Sequence, residues 1–219
     1  MANIIGDLCK YFPRIFHMAE AGSWPSIQER GLLSAEKLCQ LFEVPSEATA
    51  KLLSEHRPES VELCHEKYGR VVIRDQKPMS VGGLTKALVD IAPQEWLRLL
   101  NSKVYFWPTE ERLGRMINAR AYKGKEHDII VIDSLKLLHP YAEKAWLCHL
   151  NSGCTTPYAH PRDRTAFKRL SEYPLEERRK KYGIANAVAE IAIDDGVPDI
   201  KEAVIKVVPM KGWKPELLM

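Results

Sequence analysis

Small and apolar residues crowd the stretch A-V-A-E-I-A-I from Ala187 to Ile193, and Val204, Ile205, Val207 and Val208 form a second apolar run. Both read as strands, with Asp194-Asp195-Gly196 as a turn between them. Glu190 falls inside the first strand. A carboxylate among apolar neighbours loses solvation, so it asks for a partner, a place at the sheet mouth, or a catalytic use. On the pattern alone, an outward position on a half-solvated strand is the commoner arrangement.

The remaining pattern alternates strands with short helices. Tyr11 to Phe16 reads as a strand that delivers His17 at its end. Ser23 or Trp24 before Pro25 marks a helix entry and Gly31 its stop. Ser34 and Ser46 are expected to cap two helices, burying Leu38, Leu41 and Phe42, then Leu52 and Leu53. Residues 58–78, with Val71-Val72-Ile73, suggest a hairpin or an exposed connection, and Gly82-Gly83 a turn. Pro93 opens a helix through Trp96, Leu97, Leu99 and Leu100; Lys103 to Trp107 follows as an aromatic strand. Thr109 caps a helix with Leu113, Met116 and Ile117 on one face. Asp128–Asp133 and Ala145–Leu150 read as strands, the latter ending in Asn151-Ser152-Gly153-Cys154-Thr155, while 167–182 reads as a helix interrupted at Pro174. The fold class expected is α+β.

Composition narrows the setting. The 219 residues suit one domain, 1–219, burying roughly 70% of the unfolded surface. With 45% hydrophobic and 28% charged residues, the chain has the make-up of a soluble protein. It lacks an apolar run near the roughly 20 residues that cross a bilayer, and its start has no signal-peptide pattern, so no membrane role and a cytoplasmic location are expected. Cys9, Cys39, Cys64, Cys148 and Cys154 are scattered and never spaced C-x-x-C, which speaks for reduced, buried thiols and against a metal site.

A net charge of +3 says little, but its distribution says more. Arg162, Arg164, Lys168 and Arg169 lie close together, and Arg178-Arg179-Lys180-Lys181 follows. Such runs read as solvated helix surface or as a phosphate-facing rim. Tyr105 and Trp107 share one face of their strand, which suits core packing or stacking on a nucleobase or nicotinamide ring.

In chain order, four features resemble the ADP-ribosyltransferase-like superfamily, in particular the DarT-type enzymes that modify DNA bases. They are His17 before a helix closing on Gly31-Leu32, the strand and helix V-Y-F-W-P-T-E-E-R-L, the loop at Asn151-Ser152-Gly153, and A-E-I-A-I-D-D-G-V-P-D-I-K-E-A-V-I-K-V-V. The resemblance implies a split β-sheet core with surrounding helices. It also implies Glu190 and His17 as catalytic residues, and Tyr105, Trp107, Ser26, Asn151 and Ser152 as binders of NAD. The reaction implied is ADP-ribosyl transfer from NAD to a DNA base, with Arg162, Arg164, Lys168, Arg169, Arg178 and Arg179 along the DNA. Ala19 and Trp24 depart from the family's first motif. They motivate an alternative, a cofactor-free DNA glycosylase that excises a modified base in defence against phage. A nucleic-acid-binding module without catalysis is the third reading.

Overall fold

The computed structural model of the chain describes residues 2–77, 79–156 and 158–219. Its strands are β1 (Arg14–Glu20), β2 (Leu32–Leu33), β3 (Val61–His65), β4 (Gly69–Ile73), β5 (Lys103–Phe106), β6 (Glu126–Asp133), β7 (Ala145–Cys148), β8 (Phe167–Arg169), β9 (Glu190–Asp194), β10 (Gly196–Val197) and β11 (Val204–Lys211). The fold is mixed α/β, with helices around small antiparallel sheets. One sheet runs β1-β6-β11, a second β5-β9-β7-β8; β3 pairs with β4 and β2 with β10.

The most apolar strands take the middle positions, because both of their faces are covered. Ile129 to Ile132 of β6 have no exposed surface between β1 and β11. Residues 190–193 of β9 are likewise buried between β5 and β7. This inner place turns Glu190 away from solvent: a central strand has no half-solvated face to offer it. Ile191 and Ile193 join the core cluster that also holds Leu8, Ile15 and Phe106, while Ala192 joins the Trp96 cluster on the other face. Glu190, two residues from Ala192, shares that second face.

The two large sheets meet where β1 approaches the end of β5. Phe16 donates its N–H to the Trp107 carbonyl at 3.0 Å, and Trp107 returns the bond to Phe16 at 2.7 Å. A second stitch pairs Leu32 and Leu33 with Val197 and Gly196.

Several expectations need correction. Tyr11 closes a helix, Ala2–Tyr11, so β1 starts at Arg14 and His17 sits mid-strand instead of at the end. Gly82 and Gly83 lie within the helix Val81–Ala87, whose N-cap Ser80 accepts from Gly83 N–H and offsets part of the helix penalty of two glycines, while Leu84 and Ala87 are buried. Pro45, and not Ser46, is the cap position of the helix Ser46–Ser54. Residues 167–182 split into β8, a 3₁₀ turn and the helix Leu175–Tyr182, since β7 offers Phe167–Arg169 a strand partner. Leu38, Leu41, Leu52 and Leu53 are half-buried, and Cys64 is exposed. The two closing strands, β9 and β11, belong to different sheets. As expected, Trp24–Arg30 ends at Gly31, Ser34 and Thr109 cap their helices, and 61–73 is a hairpin.

Candidate functional site

A cavity of about 640 Å³ opens between the two sheets. His17 from β1, Tyr105 and Trp107 from β5 and beyond, Asn151 and Ser152 from the loop after β7, Ser26 from the helix Trp24–Arg30, and Glu190 all line it. Residues far apart in sequence thus meet at the join of the sheets. Pro198 and Leu33 at the β2–β10 stitch stand near its wall, where Gly31 and Leu32 also line the space.

Glu190 is 4% exposed. Its Oε1 and Oε2 accept from the Ser152 backbone N–H at 3.2 and 3.1 Å. Burial pushes its carboxyl up to about 7, against the pull of the Ser152 hydrogen bonds and the Arg162 and Arg112 guanidinium groups. The group therefore exchanges a proton near neutrality, the range in which general acid–base groups are tuned.

His17 lies across the join. Its Nδ1 is 2.8 Å from the Tyr105 carbonyl. A carbonyl accepts only, so Nδ1 carries the proton and Nε2 keeps a free lone pair. Burial lowers the imidazole to about 4, helped by the Arg74 charge and opposed by that hydrogen bond. His17 is neutral at pH 7. Tyr105 packs its ring against Phe167, with centroids 6.3 Å apart, and donates its hydroxyl to the Leu100 carbonyl at 3.1 Å. Burial, with Glu190 nearby, holds the Tyr105 phenol well above its ordinary range, so it stays protonated. Ser26 accepts from Arg30 Nη1 at 2.8 Å.

Sequence reasoning missed the cationic lining. Arg30, Arg57, Arg74 and Lys77 also face the cavity. Arg57 is 8% exposed and donates to the carbonyls of Leu52 and Arg74 and to Asn101 Oδ1, while Arg74 donates to the Met18 carbonyl at 2.9 Å. These residues are scattered from 30 to 77 and form no run, so no sequence signal marked them.

The basic cluster divides. Arg162 is 3% exposed and its guanidinium is spent on backbone carbonyls, which removes it from any phosphate-facing rim. Arg164 stays exposed beside Glu95 at 2.9 Å, and Lys168 is exposed on β8. Arg169 pairs with Asp194 and stacks 3.8 Å over Trp146; Arg178 holds the Ala187 carbonyl, and Arg179 pairs with Glu176. Among the described residues, no group of three or more His, Cys, Asp or Glu gathers as metal ligands do, and no helix is long and apolar enough to cross a membrane.

A family model described as a family of unknown function, DUF7002, matches residues 13–204. The chain belongs to this family. The DUF7002 match runs from the start of β1 to the first residue of β11 and takes in both sides of the cavity, His17 and Glu190 included. No curated protein and no solved structure matches the chain.

Proposed function

We propose that the chain transfers ADP-ribose from NAD to a DNA base, on an ADP-ribosyltransferase-like core. The observation that carries this reading is the buried Glu190 carboxylate on a cavity of about 640 Å³ that neutral His17, on the other sheet, also lines. That volume falls within the roughly 300–1,000 Å³ typical of small-molecule sites. The split between the β1 and β5 sheets supports the fold assignment. On the lining, Arg57 is taken up by carbonyls and Asn101 and Arg74 lies 3.6 Å from Glu20, so Arg30 and Lys77, paired with exposed Glu29 and Glu59, are the cations left to meet a dinucleotide diphosphate.

Breaking the nicotinamide–ribose bond leaves positive charge on the sugar as neutral nicotinamide departs. An ionised Glu190 at the ribose stabilises that charge more than it stabilises the ground state. His17, a neutral ring with one free lone pair, accepts from a ribose hydroxyl without adding a competing positive charge. A base nitrogen then bonds to the sugar carbon, and the proton it sheds goes to Glu190 or water. Exposed Arg164 and Lys168 provide for the DNA backbone.

The test is to incubate the protein with plain and modified DNA, with and without NAD, and weigh the products. A mass gain on DNA that needs both NAD and Glu190 is expected. Abasic sites formed without NAD would replace this reading with base excision. Salt-sensitive binding without turnover, unchanged in Glu190→Gln, would replace it with a binding module.

A further inference from the structure

The loop after β7 reaches Glu190 through Ser152, whose backbone N–H lies 3.2 and 3.1 Å from the two carboxylate oxygens and whose side chain also favours the ionised form, so whatever fixes Ser152 fixes the partner of the carboxylate. Arg162 is that anchor's source. Its Nη1 lies 2.7 Å from the Ser152 carbonyl and 3.4 Å from the Asn151 carbonyl, its Nη2 2.8 Å from the Cys154 carbonyl, and its Nε 3.1 Å from the His160 carbonyl. The side chain is itself held at its root. Arg162 N–H donates to Ala87 at 2.8 Å and its carbonyl accepts from Val89 at 3.1 Å, tying it to the end of the helix Val81–Ala87. Trp96 Nε1 adds a bond to the Ser152 carbonyl at 3.4 Å.

We infer that Arg162 is a positioning residue for Glu190, acting through the two peptide units that flank Ser152. The guanidinium holds the Ser152 carbonyl at 2.7 Å and touches the Asn151 carbonyl at 3.4 Å, and the Ser152 N–H between those two carbonyls carries the Glu190 carboxylate. A cation on the carbonyl strengthens the dipole of the amide that donates to the anion, and the rigid fork keeps that amide aimed. Four carbonyls around one planar group demand arginine; a lysine ammonium is a point charge that cannot span them. The other titratable or charged groups facing Glu190 are Tyr105 on β5, Cys148 on β7, and Arg112 on the helix Glu110–Ile117. Cys148 and Tyr105 are both held neutral by burial, so Arg162 and Arg112 supply the positive charge.

The inference uses the reading of Glu190 as the working carboxylate, but its test does not depend on catalysis. The Glu190 carboxyl is followed by carbon NMR against pH in the full chain, for wild type, Arg162→Gln and Arg162→Lys, with circular dichroism as the check on folding. Arg162→Gln removes both the charge and the anchor, so its midpoint is expected to rise by about one pH unit or more, while Arg162→Lys keeps the charge and loses the fork, so a smaller rise there reads the anchor alone. If ADP-ribosyl transfer is present, the rising limb of its pH profile moves by the same amount. A folded Arg162→Lys protein with an unmoved midpoint overturns the inference, whatever reaction the protein catalyses. Hydrogen exchange on the wild type decides the matter if both variants unfold. The Ser152 amide should exchange as slowly as those of β9, and fast exchange overturns the inference.

Discussion

At the scale of single residues, Glu190 and His17 carry opposite pH signatures. Glu190 rises from 4.5 to about 7 on folding, so the unfolded chain loses this proton first as pH climbs. Stability present below pH 4.5 is therefore lost as pH rises through about 7. Glu190→Gln removes the loss, and chemical denaturation should find the variant more stable than wild type above pH 7 by roughly 3 kcal/mol, at about 1.4 kcal/mol per pH unit. The same change should cut turnover at least about 100- to 1,000-fold, as the removal of one electrostatic group does. Near-normal turnover would end its assignment. His17 falls from 6.5 to about 4, so its share of stability holds above pH 6.5 and is lost as pH falls toward 4. His17→Gln should flatten that acid limb in the same denaturation series. The glutamate was visible in the sequence as an oddity, a charge in an apolar strand, and the structure explains it by an inner strand position. The Ser152 partner was read as a ligand contact. Instead Ser152 holds Glu190, by its side chain and by its backbone amide, and the amide has no sequence signature.

At the scale of elements, the cavity wall depends on two tight backbone approaches. Gly31 has φ 88° and Gly196 φ 137°, and a Cβ on either would run into backbone, that of Pro198 and of Leu32 and Leu33 respectively. Alanine at either place forces both a strained backbone angle and a shift of the β2–β10 stitch. Gly196→Ala should cost on the order of 1–3 kcal/mol or more in urea denaturation, and weaken binding in the adjacent cavity; a variant as stable as wild type would show that the stitch yields freely. Caps and stops were legible in the sequence because their chemistry is local: Gly31, Ser34, Thr109 and Pro93 all fall where expected. Phe167–Arg169 was not, because its strand character comes from β7, a partner some twenty residues away. Arg162 was misread for a similar reason. Clustered arginines look alike in sequence, and only the fold shows which one is buried among carbonyls.

At the scale of the whole molecule, the site exists only where the two sheets meet, and sheet order cannot be read from periodicity. The pattern gave β9 and β11 as neighbours in sequence; the fold assigns them to separate sheets. A ligand that fills the space between the sheets holds both of them, so saturating NAD should raise the melting temperature. At a hundred times its dissociation constant the gain is about 2.7 kcal/mol, and an unmoved melting curve at millimolar NAD would count against NAD as the ligand. The bonds that join the sheets at Phe16 and Trp107 are made wholly by main chain. Substitution at either position, proline aside, leaves their donors and acceptors in place. Side chains at these two positions can thus change in identity while the spacing between the two halves of the cavity is kept by main chain alone.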